Sequence, residues 1–166
     1  MGTCKATLSV AGKSMVQHII DTTSMLQYPI FLVGKSQQKR DLSIDGVHWI
    51  EDNTPDRHPL HGVVAALKSA KTNNFDSTLI LPCDTPFTSL EGLRSLLEVC
   101  PSVASDPNGS LHPLLIHIPI TWLHRAQDHL SKHRSMKSFA QNIRSVRLSH
   151  TDVNNINRPA DIPQHI

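Results

Sequence analysis

The sequence predicts a three-layer α/β fold in which a mostly parallel sheet carries helices on both faces. Short continuous apolar runs of the buried-strand kind recur along the chain, such as Ile30-Phe31-Leu32-Val33 and Thr78-Leu79-Ile80-Leu81. Between them lie stretches with apolar residues at helical spacing. That alternation is the pattern of parallel strands joined by helical crossovers. A chain of 166 residues, 39% hydrophobic and 18% charged, is a natural size for one domain with a sizeable core.

Each element follows from its own residues. Ser14 to Leu26 places Met15, Val16, Ile19 and Ile20 on one helical face, and Pro29 marks a break before the strand Ile30–Val33. Val47–Ile50 reads as the next strand. Leu60 to Ala70 is helical, with Leu60, Val63, Val64 and Leu67 as its buried stripe. Thr78–Leu81 is the most strand-like segment of the chain. Ser89 starts a helix that runs to about Val99, with Leu93, Leu96 and Leu97 inward. Ser102–Ala104 is a short strand, Asp106-Pro107-Asn108-Gly109 a turn, and Leu111–Ile118 a longer strand. Helices over Ile120–Leu130 and Met136–Asn142 and a last strand over Val146–Leu148 complete the pattern.

Composition excludes several classes of function. Lys+Arg 16 against Asp+Glu 14 gives no basic face for a nucleic-acid backbone. Aromatic residues at 4% leave no stacking platform for single strands. No apolar stretch approaches the ~18 residues that a membrane helix needs. Cys4, Cys83 and Cys100 form no C-x-x-C pair or disulfide framework, which suits a reducing cytoplasm.

Two Gly-Lys-Ser triplets, at 12–14 and 34–36, resemble the tail of a phosphate-binding P-loop. The first glycine of that motif would fall on Thr7 or Pro29, so neither triplet has the unhindered backbone the cradle requires. Gly12-Lys13 is better explained as a turn, with Ser14 capping the helix that follows. His58 and His61 precede a helix, and His129 and His133 are spaced as zinc ligands can be. In a chain with 11 histidines and no third ligand beside them, exposed helix positions account for both pairs. In parallel sheets, sites lie at the carboxyl ends of strands. Asp52, after Val47–Ile50, and Asp84, after Thr78–Leu81, are the acidic residues so placed. Asp84 sits between Pro82 and Pro86 in a stiff loop that either caps a turn or holds a hard cation.

Taken in order, these segments resemble the molybdenum cofactor guanylyltransferases, MobA-like nucleotidyltransferases with a Rossmann-like fold. Met1 to Lys13 resembles that family's RMG-x-DKALL-x-V-x-GK stretch, Ile50-Glu51-Asp52 its acidic strand end, and Pro59-Leu60-His61-Gly62 its GPLAG helix start. Leu81-Pro82-Cys83-Asp84-Thr85-Pro86 is similar to its PCDTP signature and His112-Pro113-Leu114 to its HP element. Asn155 to Ile162 is similar to its closing NINTPEDL. The resemblance implies transfer of GMP from GTP to the phosphate of the molybdenum pterin cofactor, with Mg2+ and release of pyrophosphate. It implies that Lys5 clamps the triphosphate, that Asp84 holds the metal and the nucleotide, and that Asp52 also binds the nucleotide. Asn155 and Asn157 would contact the pterin side. Molybdoenzymes or other proteins of cofactor synthesis would be its partners, with neither nucleic acid nor membrane involved.

The chain departs from the family pattern in places. Family members open with a strand and a glycine-rich LAGG-x-S-x-R loop ahead of the RMG element, so this chain is expected to lack that strand and phosphate loop. A seam in the sheet, self-association and weakened GTP binding would follow. Cys4 replaces the usual acidic residue before the lysine, Gly34 falls where a nucleotide-contacting Asn would sit, and Arg158 replaces a Thr. A same-fold enzyme using CTP or a sugar phosphate, and a degenerate, non-catalytic binding homologue, remain alternatives.

Overall fold

A computed structural model describes residues 5–42, 44–52, 54–56 and 58–161. Its elements are β1 (Ser9–Val10), β2 (Lys13–Ser14), α1 (Met15–Ser24), β3 (Phe31–Gly34), α2 (Ser36–Asp41), β4 (His48–Glu51), α3 (Pro59–Thr72) and β5 (Ser77–Ile80). They continue with α4 (Leu90–Leu97), β6 (Ser102–Ser105), β7 (Leu111–Pro119), α5 (Leu123–Ser131), α6 (Met136–Ala140) and β8 (Arg144–Arg147). Short 3-10 turns cover Lys5–Thr7, Ile120–Trp122 and Pro159–Asp161.

Helix starts are set by polar caps. Ser14 Oγ accepts from Gln17 N at 3.3 Å and opens α1, and Ser89 Oγ accepts from Gly92 N at 3.1 Å and opens α4. His58 does the same for α3, its Nδ1 accepting from Leu60 N at 3.2 Å, with Pro59 at the first helical position. β1 and β2 form a hairpin whose turn is made by Ala11 and Gly12, both at positive φ. Lys13 is therefore a hairpin residue rather than part of a phosphate loop.

The four-stranded sheet has the order β5-β7-β6-β8. β7 runs antiparallel to both β5 and β6, and β6 is parallel to β8, so three of its four strands share one direction. One face packs α3, α5 and α6: Leu60, Val63, Leu67, Ala126 and Phe139 bury against Val103, Ile116 and Ile118. Across the sheet Leu96 of α4 packs on Ala104 and Leu115, and α4 also touches α1. Val103 and Ala104 are neighbours in β6 facing opposite cores, as the two-residue period of a strand requires. The result is the three-layer, Rossmann-like α/β fold.

Among the described residues, β3 and β4 pair only with each other, as a parallel two-stranded sheet. α3 packs on both β3 and β5 and spans the gap between the two sheets.

Candidate active site

β3 and β4 pair with Gly34 opposite Glu51, so the next residues, Lys35 and Asp52, leave the two strands side by side at their carboxyl ends. Lys35 Nζ donates to Asp52 Oδ2 at 2.7 Å and also to the Thr54 carbonyl. Asp52 Oδ1 accepts from Thr54 N at 3.1 Å. Burial pushes the Asp52 carboxyl upward, but the hydrogen bonds from Lys35 and Thr54 outweigh it and hold the group down at about 2. Asp52 is thus held ionised at neutral pH, with the Lys35 ammonium attached.

Gly34, where an Asn was expected by resemblance, has no room for a side chain. A Cβ there would lie 2.8 Å from Gln38 Oε1 and 2.8 Å from the Trp49 ring.

Asp84 lies in the loop that leaves β5, half-buried. Three contacts fasten that loop to the segment after β8. Ile156 N donates to Asp84 O at 2.7 Å, and Thr88 Oγ1 donates to Asp152 O at 2.7 Å. The buried Asp152 side chain closes the join: Oδ1 accepts from Ser89 N at 2.6 Å, and Oδ2 accepts from Ser149 Oγ at 2.6 Å and Ser149 N at 3.2 Å. By contrast, among the described residues no hydrogen bond engages the Asp84 carboxylate.

Beside this join opens a cavity of about 420 Å³, lined by Asp106, His112, His150, Thr151, Asn154 and Asn155. Asp84 is near enough to act electrostatically on His112. The structure therefore brings Asp84 and Asn155 into one neighbourhood. Asn157 is exposed and outside the cavity lining, and its backbone N–H donates to Asp161 Oδ2 at 2.8 Å. Asp52 belongs to the separate β3–β4 sheet. Lys5 has its backbone in the first 3-10 turn, and its side chain lies outside the described residues, as do Met1 to Cys4. Sequence reasoning missed Lys35, whose Gly-Lys-Ser triplet was considered only as a P-loop tail, and Asp152, which carries no motif.

The Asp84 side chain, with no hydrogen bond to its oxygens among the described residues and beside a cavity able to admit phosphate groups, fits a Mg2+ ion that takes one or two protein carboxylates and completes its shell with substrate oxygens and water. His129 is not disposed as a metal ligand through Nδ1, which contacts the Arg125 carbonyl at 3.1 Å.

Residues 1–150 match the family described as the MobA-like NTP transferase domain. A probable molybdenum cofactor guanylyltransferase of Rhodopirellula baltica is 27% identical over 179 aligned positions, covering 98% of this chain and 83% of that protein. Among solved structures, the molybdopterin-guanine dinucleotide biosynthesis protein A of Archaeoglobus fulgidus superposes with a TM-score of 0.71 at 18% identity, over 95% of this chain and 86% of that one. A Mycobacterium tuberculosis protein solved in complex with manganese superposes with a TM-score of 0.65 at 15% identity, over 96% and 90%. The match across most of its length makes this chain a member of the MobA-like NTP transferase family, a nucleotidyltransferase.

Proposed function

We propose that the protein transfers GMP from GTP to the phosphate of a molybdenum pterin cofactor and releases pyrophosphate. The observation that carries this reading is the join around Asp84: an available carboxylate at a strand end, fastened beside a cavity that Asn155 lines. The names of the relatives point the same way. An oxygen of the acceptor phosphate attacks the α-phosphorus as the bond to the bridging oxygen of the leaving pyrophosphate breaks. Catalysis of such a transfer rests on positioning and charge neutralisation.

Asp84 is the proposed ligand for Mg2+, which would neutralise charge on the triphosphate, and it thereby also binds the nucleotide. Lys5 is assigned to the triphosphate, and Asp52, with Lys35 attached, to the nucleoside side. Asn155 and Asn157 are assigned to the acceptor, Asn155 with the support of its place in the cavity. Residues 1–166 are taken as one nucleotidyltransferase domain. The reaction is placed in a reducing cytoplasm, with molybdoenzymes or other cofactor-synthesis proteins downstream.

Incubation with GTP, Mg2+ and molybdopterin, followed by chromatography of the products, tests the reading. Guanine dinucleotide and pyrophosphate in equal amounts are expected, and GTP should raise the melting temperature more than CTP or ATP does. Equal shifts from all three nucleotides would overturn the guanine assignment. Asp84→Ala should abolish turnover with the circular-dichroism melt unchanged, and retained Mg2+-dependent activity would remove Asp84 from the mechanism.

A further inference from the structure

β7 does not keep one register along β6. Val103 pairs with Ile116, but the next residue, Ala104, pairs with His112, so one step on β6 spans four on β7. Pro113 lies in the excess, where a residue without an N–H is tolerated. Bulges of this kind are found beside active sites, where they re-aim a side chain. Here the bulge accompanies a half-buried His112 that lines the cavity with Asp106 and Asn154.

His117 and His18 are engaged, whereas His150 shares the cavity lining with His112. His117 contacts Ser77 Oγ at 2.9 Å through Nε2 and the Val99 carbonyl at 3.1 Å through Nδ1. His18 Nε2 contacts the Val10 carbonyl at 2.7 Å. Among the described residues, the His112 ring has no hydrogen-bond partner. Its charged neighbours are Asp106 and Asp84, which favour the protonated ring, whereas burial opposes it more strongly. Asp106 is itself within electrostatic reach of His150. The Asp106 carboxylate in the lining repels a phosphate dianion, so a phosphate entering this cavity needs a donor beside it. An imidazole supplies one N–H when neutral and two when charged.

We propose that His112 is a positioning residue for a phosphate-monoester acceptor, its ring N–H donating to an oxygen of that phosphate and holding it in the cavity on the Asp84 side. This rests on the nucleotidyl-transfer reading above. Holding the attacking oxygen near the ~3–3.5 Å approach distance is the role left for such a donor.

Steady-state kinetics with GTP and the phosphorylated pterin each varied test it. His112→Ala should raise the acceptor KM about tenfold or more, the loss expected for one hydrogen bond to a charged group, while the KM for GTP stays within about twofold. His112→Gln keeps a donor and should recover part of the loss, and His124→Gln, on exposed α5 surface, serves as the control. An unchanged acceptor KM in His112→Ala overturns the proposal and leaves the transfer reading standing. A second measurement needs no turnover. Inorganic phosphate titrated into the 15N-histidine-labelled protein should shift the His112 ring signals saturably, those signals being identified by their loss in His112→Gln. Unmoved His112 signals overturn the inference whatever the protein transfers.

Discussion

Asp152 shows how one side chain can hold a site without belonging to its chemistry. Its carboxylate accepts from Ser89 N at the start of α4 and from both polar groups of Ser149, while its carbonyl takes the Thr88 hydroxyl. Burial raises its pKa, but the hydrogen bonds from Ser149 and Ser89 prevail, and the group sits below the usual carboxylate range. Gly92 leaves room for it, since a Cβ there would lie 3.2 Å from Asp152 Oδ1. Asp152→Asn would turn an amide NH2 toward a donor at one end or the other. Loss of a charge-assisted bond and a stranded N–H should cost about 2–4 kcal/mol, read from urea unfolding. Since the folded pKa is depressed, the contribution is present above the unfolded value near 4 and is lost as pH falls through the folded one. The gap between wild type and Asp152→Asn should therefore narrow on acidification. A constant gap from pH 7 to pH 3 would show that the charge contributes nothing.

At the scale of elements, Lys35 and Asp52 act as a latch across the ends of β3 and β4, with the Thr54 carbonyl drawn in behind them. Lys35→Met should cost about 1 kcal/mol, less than a buried pair because the Lys35 side chain is 39% exposed. It should also move acid unfolding to higher pH, because Asp52 would no longer be held at about 2. An acid transition identical to that of the wild type would mean that Thr54 alone holds the carboxylate. The helices α1, α3 and α4 and the strands β3 to β7 were legible because periodicity, Ser14 and Ser89 caps and Pro59 all agreed locally, whereas the two-residue strands β1 and β2 carry no such signal. α2, Ser36–Asp41, was not: its polar residues carry no apolar stripe, and Gln38 Oε1 accepting from Lys35 N at 2.8 Å helps to start it. The place of Asp84 in the loop after a strand was legible from the apolar run that precedes it. The Lys35–Asp52 pair was not, because 17 residues separate the partners and only the register of β3 on β4 brings them together. The β7 bulge that accompanies His112 likewise exists only once two strands are laid side by side.

At the scale of the whole molecule, the break between the two sheets has a direct physical consequence. β6 is paired on both sides and buried throughout, whereas β3 and β5 are each paired on one side among the described residues and are only partly buried or exposed. His48 N donates to the Ile30 carbonyl and Asp52 N to the Gly34 carbonyl. By the alternation of a parallel ladder, the amides of Phe31 and Val33 then point away from β4. A row of unpaired backbone groups beside apolar side chains, with Val33 itself 37% exposed, is a template for another strand. Amide exchange should therefore be fast at Phe31 and Val33 and slow at Leu32 and Val103, and sedimentation velocity should show association that grows with concentration. Val33→Pro removes a donor that β4 does not use, so it should reduce the association with little loss of stability. Protection at Phe31 and Val33 equal to that at Val103 in dilute, monomeric protein would show that the edge is already covered, and the association should then be absent as well.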